Sequence, residues 1–116
     1  MYNYVKLDPQ EWEFVGIVPA ENIPPGERLH FEIDGELLVL FNIAGQYYCI
    51  ADVCSHDNGP LGDGELEDFA VICPRHGARF DVRDGKVLAL PAVEDIPAYL
   101  VRVVDEMVEI GLPLEK

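Results

Sequence analysis

Basic residues are scarce: eight Lys and Arg face 22 Asp and Glu, for a formal charge of -14 over 116 residues. That sign repels nucleic acid phosphates and anionic membrane surfaces alike, so neither is an expected partner. Long apolar runs are missing too. No segment approaches the ~20 residues of a membrane span. Met1 to Gln10 carry Lys6 and Asp8 where a signal peptide would have an apolar core, so a cytoplasmic protein is expected. Cysteine is limited to Cys49, Cys54 and Cys73. An odd number without a secretory signal disfavours a disulfide framework and favours metal ligation. Convincing helical periodicity is absent, as are a Gly-x-Ser-x-Gly elbow and a phosphate-cradling Gly-rich loop.

What is present reads as β structure. Gly and Pro punctuate the chain at short intervals, and Val, Ile, Leu, Phe and Tyr fill the segments between them. The size suits one domain over 1–116 with a single core. Strands are expected at Phe14 to Val18, Arg28 to Ile33, Glu36 to Ile43, Gln46 to Ala51, Ala70 to Cys73, Ala78 to Val82, Lys86 to Leu88, Leu100 to Val104 and Met107 to Ile110. Asp34-Gly35 is a strong hairpin signal because both residues tolerate positive φ; Ala44-Gly45 is a second turn. Such short strands imply an all-β sandwich or small barrel of antiparallel sheets, with about 52–80 as a subdomain inserted between strands. Gly111 to Lys116 is expected to lie loosely on the surface.

The inserted stretch carries the chemistry. Cys54-Ser55-His56 is followed, after 16 residues, by Cys73-Pro74-Arg75-His76. Each pair puts one thiolate and one imidazole on a tight loop, and two facing loops would enclose a metal centre. Sulfur and nitrogen donors suit zinc or an iron-sulfur cluster, whereas magnesium and calcium want oxygen. Zinc fingers run Cys-Cys then His-His. The order here lets both cysteines bind one iron and both histidines another.

From Cys54 to Leu61 and from Cys73 to Phe80 the chain resembles the cluster-binding pair of the Rieske family, and Leu90-Pro91 resembles the family's proline loop over a third side of the cluster. The resemblance implies three small antiparallel sheets with one two-iron, two-sulfide cluster at a tip, held by Cys54, His56, Cys73 and His76. Two departures from the respiratory members stand out. The positions of their loop-clamping disulfide are Gly59 and Arg75 here, so no such clamp can form. Their serine and tyrosine donors to sulfur are replaced by Ala78 and Phe80. Such donors stabilise the reduced cluster, so a potential at the low end of roughly -150 to +300 mV is expected.

The resemblance therefore implies a soluble, monomeric ferredoxin of an aromatic-ring dioxygenase system. It would shuttle single electrons from a flavin reductase to a terminal oxygenase and would not itself be an enzyme. Similar small Rieske proteins serve as subunits of nitrite reductase, and a zinc-stabilised interaction module on the same four residues is the alternative from another class. Cys49, in the apolar strand Tyr47 to Ile50, reads as an inert buried thiol. His30 alternates with Leu29 and Phe31, faces solvent or a hydrogen-bond partner, and is a poor ligand. Without a second histidine it cannot build a mononuclear iron site. Asp57, Asp63, Glu65, Glu67 and Asp68 are candidate docking charges for a basic partner surface.

Overall fold

The computed structural model describes residues 12–113. Eleven strands follow one another: β1 (Trp12–Pro19), β2 (Arg28–Ile33), β3 (Glu36–Ile43), β4 (Gln46–Ala51), β5 (Leu66–Glu67), β6 (Ala70–Ile72), β7 (Arg79–Asp81), β8 (Val87–Ala89), β9 (Ala98–Tyr99), β10 (Val101–Val104) and β11 (Met107–Pro113). They form three antiparallel sheets, ordered β1-β11-β10, β2-β3-β4-β9 and β5-β6-β7-β8. Among the described residues the helical content is one 3-10 turn, Ala20–Asn22.

The apolar run in β3 explains the layering. Successive side chains of a strand point to opposite faces, and a strand apolar on both faces must be covered on both. Val39 and Phe41 join Ile50 in a core shared with Val71 and Phe80 of the third sheet and with Val82 just after β7. Leu38 and Leu40 join Cys49 in a second core with Val108 and Ile110 of the first sheet. The β2-β3-β4-β9 sheet is thus the middle layer. Asn42 is the buried polar residue of this strand: its Nδ2 donates to Ile23 O at 2.7 Å and its Oδ1 accepts from Gly45 N at 2.8 Å. Burial without those partners would be costly.

β2, β3 and β4 have the expected limits. The Asp34-Gly35 turn has φ of 52° and 83°, and Ala44-Gly45 has 55° and 91°, as two-residue hairpins require. Elsewhere tertiary bonds trim the expected strands. The ladder stops before Cys73 and starts after Ala78 because Cys73 N donates to Ala78 O at 2.7 Å, closing a tight turn. β5 and β9, two residues each, had no local signal. The expected loose tail needs correction: β11 continues to Pro113 because β1 begins at Trp12 and pairs with it. Proline there sits on the last rung, where a missing N–H is tolerated. Residues 114–116 and the N-terminal stretch Met1 to Gln10 lie outside the described residues.

Phe41, with no exposed surface, lies where the middle sheet meets the third. Phe41→Ala is expected to cost about 3–5 kcal/mol of stability, read as a lower urea midpoint at unchanged slope. A loss below about 1 kcal/mol would contradict this placement.

Candidate metal centre

Two loops meet at one tip of the third sheet. The first leaves β4 and runs through Cys54 and His56; the second is the β6–β7 turn through Cys73 and His76. Each is closed by its own backbone. Cys54 N donates to Gly59 O at 2.8 Å and Asn58 N to Cys54 O at 2.7 Å, while Gly77 N donates to Cys73 O at 3.0 Å. Gly77 at φ 82° makes the second turn possible.

The fold brings Cys54 beside Cys73 and His56 beside His76, and sorts the two pairs by depth. Cys54 and Cys73 are buried, with relative exposures of 0% and 1%, and their sulfur atoms are hydrogen-bond neighbours. His56 and His76 are exposed above them, ring centroids 5.0 Å apart and rings nearly perpendicular. Burial pushes the Cys54 thiol up and the Cys73 sulfur adds to this, while the backbone N–H groups of His56 and Asp57 favour the thiolate. A cationic iron or zinc at this spot would resolve that conflict by holding both sulfurs as thiolates. The donor set, sulfur below and imidazole above, fits a centre with two differently ligated metals. Ala78 and Phe80, both fully buried, offer the sulfurs no hydroxyl.

The first loop is anchored by charges that the sequence reading did not single out. The Asp52 carboxylate accepts from Leu61 N at 2.8 Å and Gly62 N at 2.6 Å, and pairs with His30 Nδ1 at 3.2 Å. Arg28, from β2, donates to Gly64 O at 2.7 Å and also to Gly62 O. A Cβ on Gly64 would lie 1.8 Å from Ile72 O, so no larger residue fits where the loop crosses β6. His30 therefore does have a hydrogen-bond partner, Asp52, and its Nε2 lies 3.2 Å from the Asp63 carboxylate. Ser55 Oγ donates to Glu94 O at 2.6 Å and ties the Leu90–Glu94 segment to the first loop.

A sulfur-free clamp joins the loops, which the absence of cysteine at positions 59 and 75 did not foreshadow. Arg75 Nε and Nη2 donate to the Asp57 carboxylate at 2.6 and 2.9 Å, and Nη1 donates to Pro60 O at 2.6 Å. The guanidinium and the Gly59 N–H hold the Asp57 carboxyl well below the usual carboxylate range. Its folded value lies below the unfolded one, so this contribution stands above the ordinary carboxylate range and fades only in strong acid. Asp57 Oδ2 is also 3.7 Å from His76 Nδ1. Of the five expected docking charges, Asp57, Asp63 and Glu67 have partners within the chain: Arg75, His30 and Arg79.

Comparisons with known proteins place this geometry. Residues 13–100 match the Rieske [2Fe-2S] domain. The chain is 40% identical over 96 residues to the 3-phenylpropionate/cinnamic acid dioxygenase ferredoxin subunit of Escherichia coli (strain K12), covering 82% of this chain and 90% of that protein. It is similar in structure to the ferredoxin of carbazole 1,9a-dioxygenase from Nocardioides aromaticivorans IC177, with TM-score 0.78 and 30% identity over 84% of this chain and 95% of that one. The fold also matches a chain from a complex of reduced oxygenase and oxidized ferredoxin in carbazole 1,9a-dioxygenase, with TM-score 0.80 and 23% identity over 89% and 96%.

Cys49 stands apart from the centre, in the other core, where burial pushes its thiol far up. In the folded protein at pH 8 it should resist iodoacetamide and alkylate only on global unfolding. Mass spectrometry finding Cys49 modified under native conditions as fast as a surface thiol would contradict this.

Proposed function

The chain belongs to the Rieske [2Fe-2S] domain family, and on that premise we propose that Cys54, His56, Cys73 and His76 hold its one two-iron, two-sulfide cluster. The observation that carries this is the sorting by depth: a buried sulfur pair beneath an exposed imidazole pair. The protein is a one-electron carrier of the ferredoxin kind, serving a dioxygenase system without catalysing the oxidation itself. Bound there, the cluster would supply one reversible electron. Cys54 and Cys73 would hold it from the buried side and keep water from it, and His56 and His76 would hold it from the exposed side, where their edges would give an electron a way out. With no hydroxyl at Ala78 or Phe80, the potential falls at the low end of the Rieske range.

A flavin reductase is the donor and a terminal oxygenase of the aromatic-ring type is the acceptor in this reading. The relatives are dioxygenase ferredoxin subunits, which favours it over a nitrite reductase subunit. No helix among the described residues is long and apolar enough to cross a membrane. We place the carrier in the cytoplasm, where free thiols persist, as a monomer whose cluster-binding unit is about 52–80. Leu90 and Val93, 76% and 75% exposed, sit on the segment fastened to the first ligand loop through Ser55. They give a transient partner a small apolar contact beside the histidines, with acidic groups at its rim.

Electron paramagnetic resonance of the dithionite-reduced protein should show the histidine-ligated Rieske signal, and His56→Ala should abolish it. An unchanged signal at full cluster occupancy in that variant would remove His56 from the ligand set. Leu90→Asp should leave the spectrum intact and slow second-order electron transfer to the oxygenase about ten-fold. An unaltered stopped-flow rate would put the docking face elsewhere.

A further inference from the structure

One arginine carries three hydrogen bonds across the two ligand loops, beside the His56–His76 ring contact and the 3.7 Å approach of His76 Nδ1 to Asp57. Arg75 lies between Cys73 and His76, yet its guanidinium reaches back across the tip to Asp57 and Pro60. Three of its donors are used, two of them forked onto one carboxylate, which is the strong and directional form of ion pair. Asp57 in turn accepts from Gly59 N at 3.0 Å, so the carboxylate is held from its own side as well. The neighbouring position makes room for the pair: a Cβ on Gly59 would lie 2.8 Å from the Arg75 guanidinium carbon. The φ of Gly59 lies outside the left-handed region, so a Cβ there would act only by pushing the movable end of the Arg75 side chain aside.

We propose that Arg75 is a positioning residue: a non-covalent clasp, closed on Asp57 and Pro60, that fixes the first ligand loop against the second and places a positive charge beside the buried sulfur pair. The proposal rests on the ligand assignment given under the proposed function. It gives the clasp two separable effects. As a tether it acts through both partners equally. As a charge it acts with opposite sign through each: the guanidinium favours the added electron, and the Asp57 carboxylate opposes it.

The test uses the cluster-bearing protein and four variants, R75Q, D57N, D57N/R75Q and G59A. Amide exchange at Cys54 and Asn58, whose N–H groups close the first loop, reports the tether. Each single variant should speed exchange about two- to five-fold, and the double variant should be no faster than the quicker single. The same ranking is expected for cluster loss to a chelator. Potentiometry reports the charge: R75Q should lower the midpoint and D57N raise it, with G59A moving it less than either. Unchanged exchange in the singles, or additive effects in the double, would overturn the clasp. Midpoints moving in one direction for both charge variants would overturn its electrostatic part. A colourless, iron-free wild type would sink the ligand assignment instead, while the exchange results would still judge the tether.

Discussion

The middle sheet's need to bury both of its faces governs the rest of the molecule. β3 is apolar on both sides, so it draws the terminal sheet onto one face through Val108 and Ile110, and the third sheet onto the other through Val71 and Phe80. Cys54 and Cys73 belong to that second core as much as Phe80 does. The sulfur end of the centre is therefore set in close-packed apolar surroundings, and the imidazole end is left outside. The depth difference between the sulfur pair and the imidazole pair follows from layer packing, before any ligand chemistry is considered.

Charge in this protein has an internal use. With 22 acidic residues against eight basic ones, each arginine has a choice of partners, and those near the tip are spent on loop geometry. Arg28 holds the carbonyls of Gly62 and Gly64, Arg75 joins the loops, and Asp52 collects the amides of Leu61 and Gly62. Loops otherwise carry mobile, solvated backbone. Anchoring at several points is what holds the two loops, and the proposed donors on them, in register. It also leaves less acidic surface for docking than the composition suggested, and raises the weight of the apolar contact at Leu90 and Val93.

Two opposing electrostatic influences bear on the buried sulfur pair. Ala78 and Phe80 offer it no hydroxyl donor, which on the proposed ligand assignment disfavours an added electron; Arg75, two residues after Cys73, favours it. Hydrogen bonds to sulfur are short-ranged and act in a dry pocket, whereas the guanidinium lies at the rim, where solvent screens it and Asp57 offsets it.

Local chemistry made much of this legible from residues alone. The Cys-x-His and Cys-x-x-His pairs announce their ligands because metal preference depends on donor type, and the Asp34-Gly35 and Ala44-Gly45 hairpins depend only on which residues accept positive φ. The inert reading of Cys49 followed from its apolar strand. What the sequence could not carry were facts about distance between remote residues: that β11 runs on to Pro113 because β1 waits beside it, that β9 is a two-residue strand added to β4, and that Arg75 spans to Asp57 and Pro60. Donor identity and turn type are properties of a few adjacent residues, and the chain order states them. Which loops face each other, how deep each donor lies and which charges meet are decided by packing of the three sheets, since only folding brings positions 15 to 18 residues apart within hydrogen-bond reach.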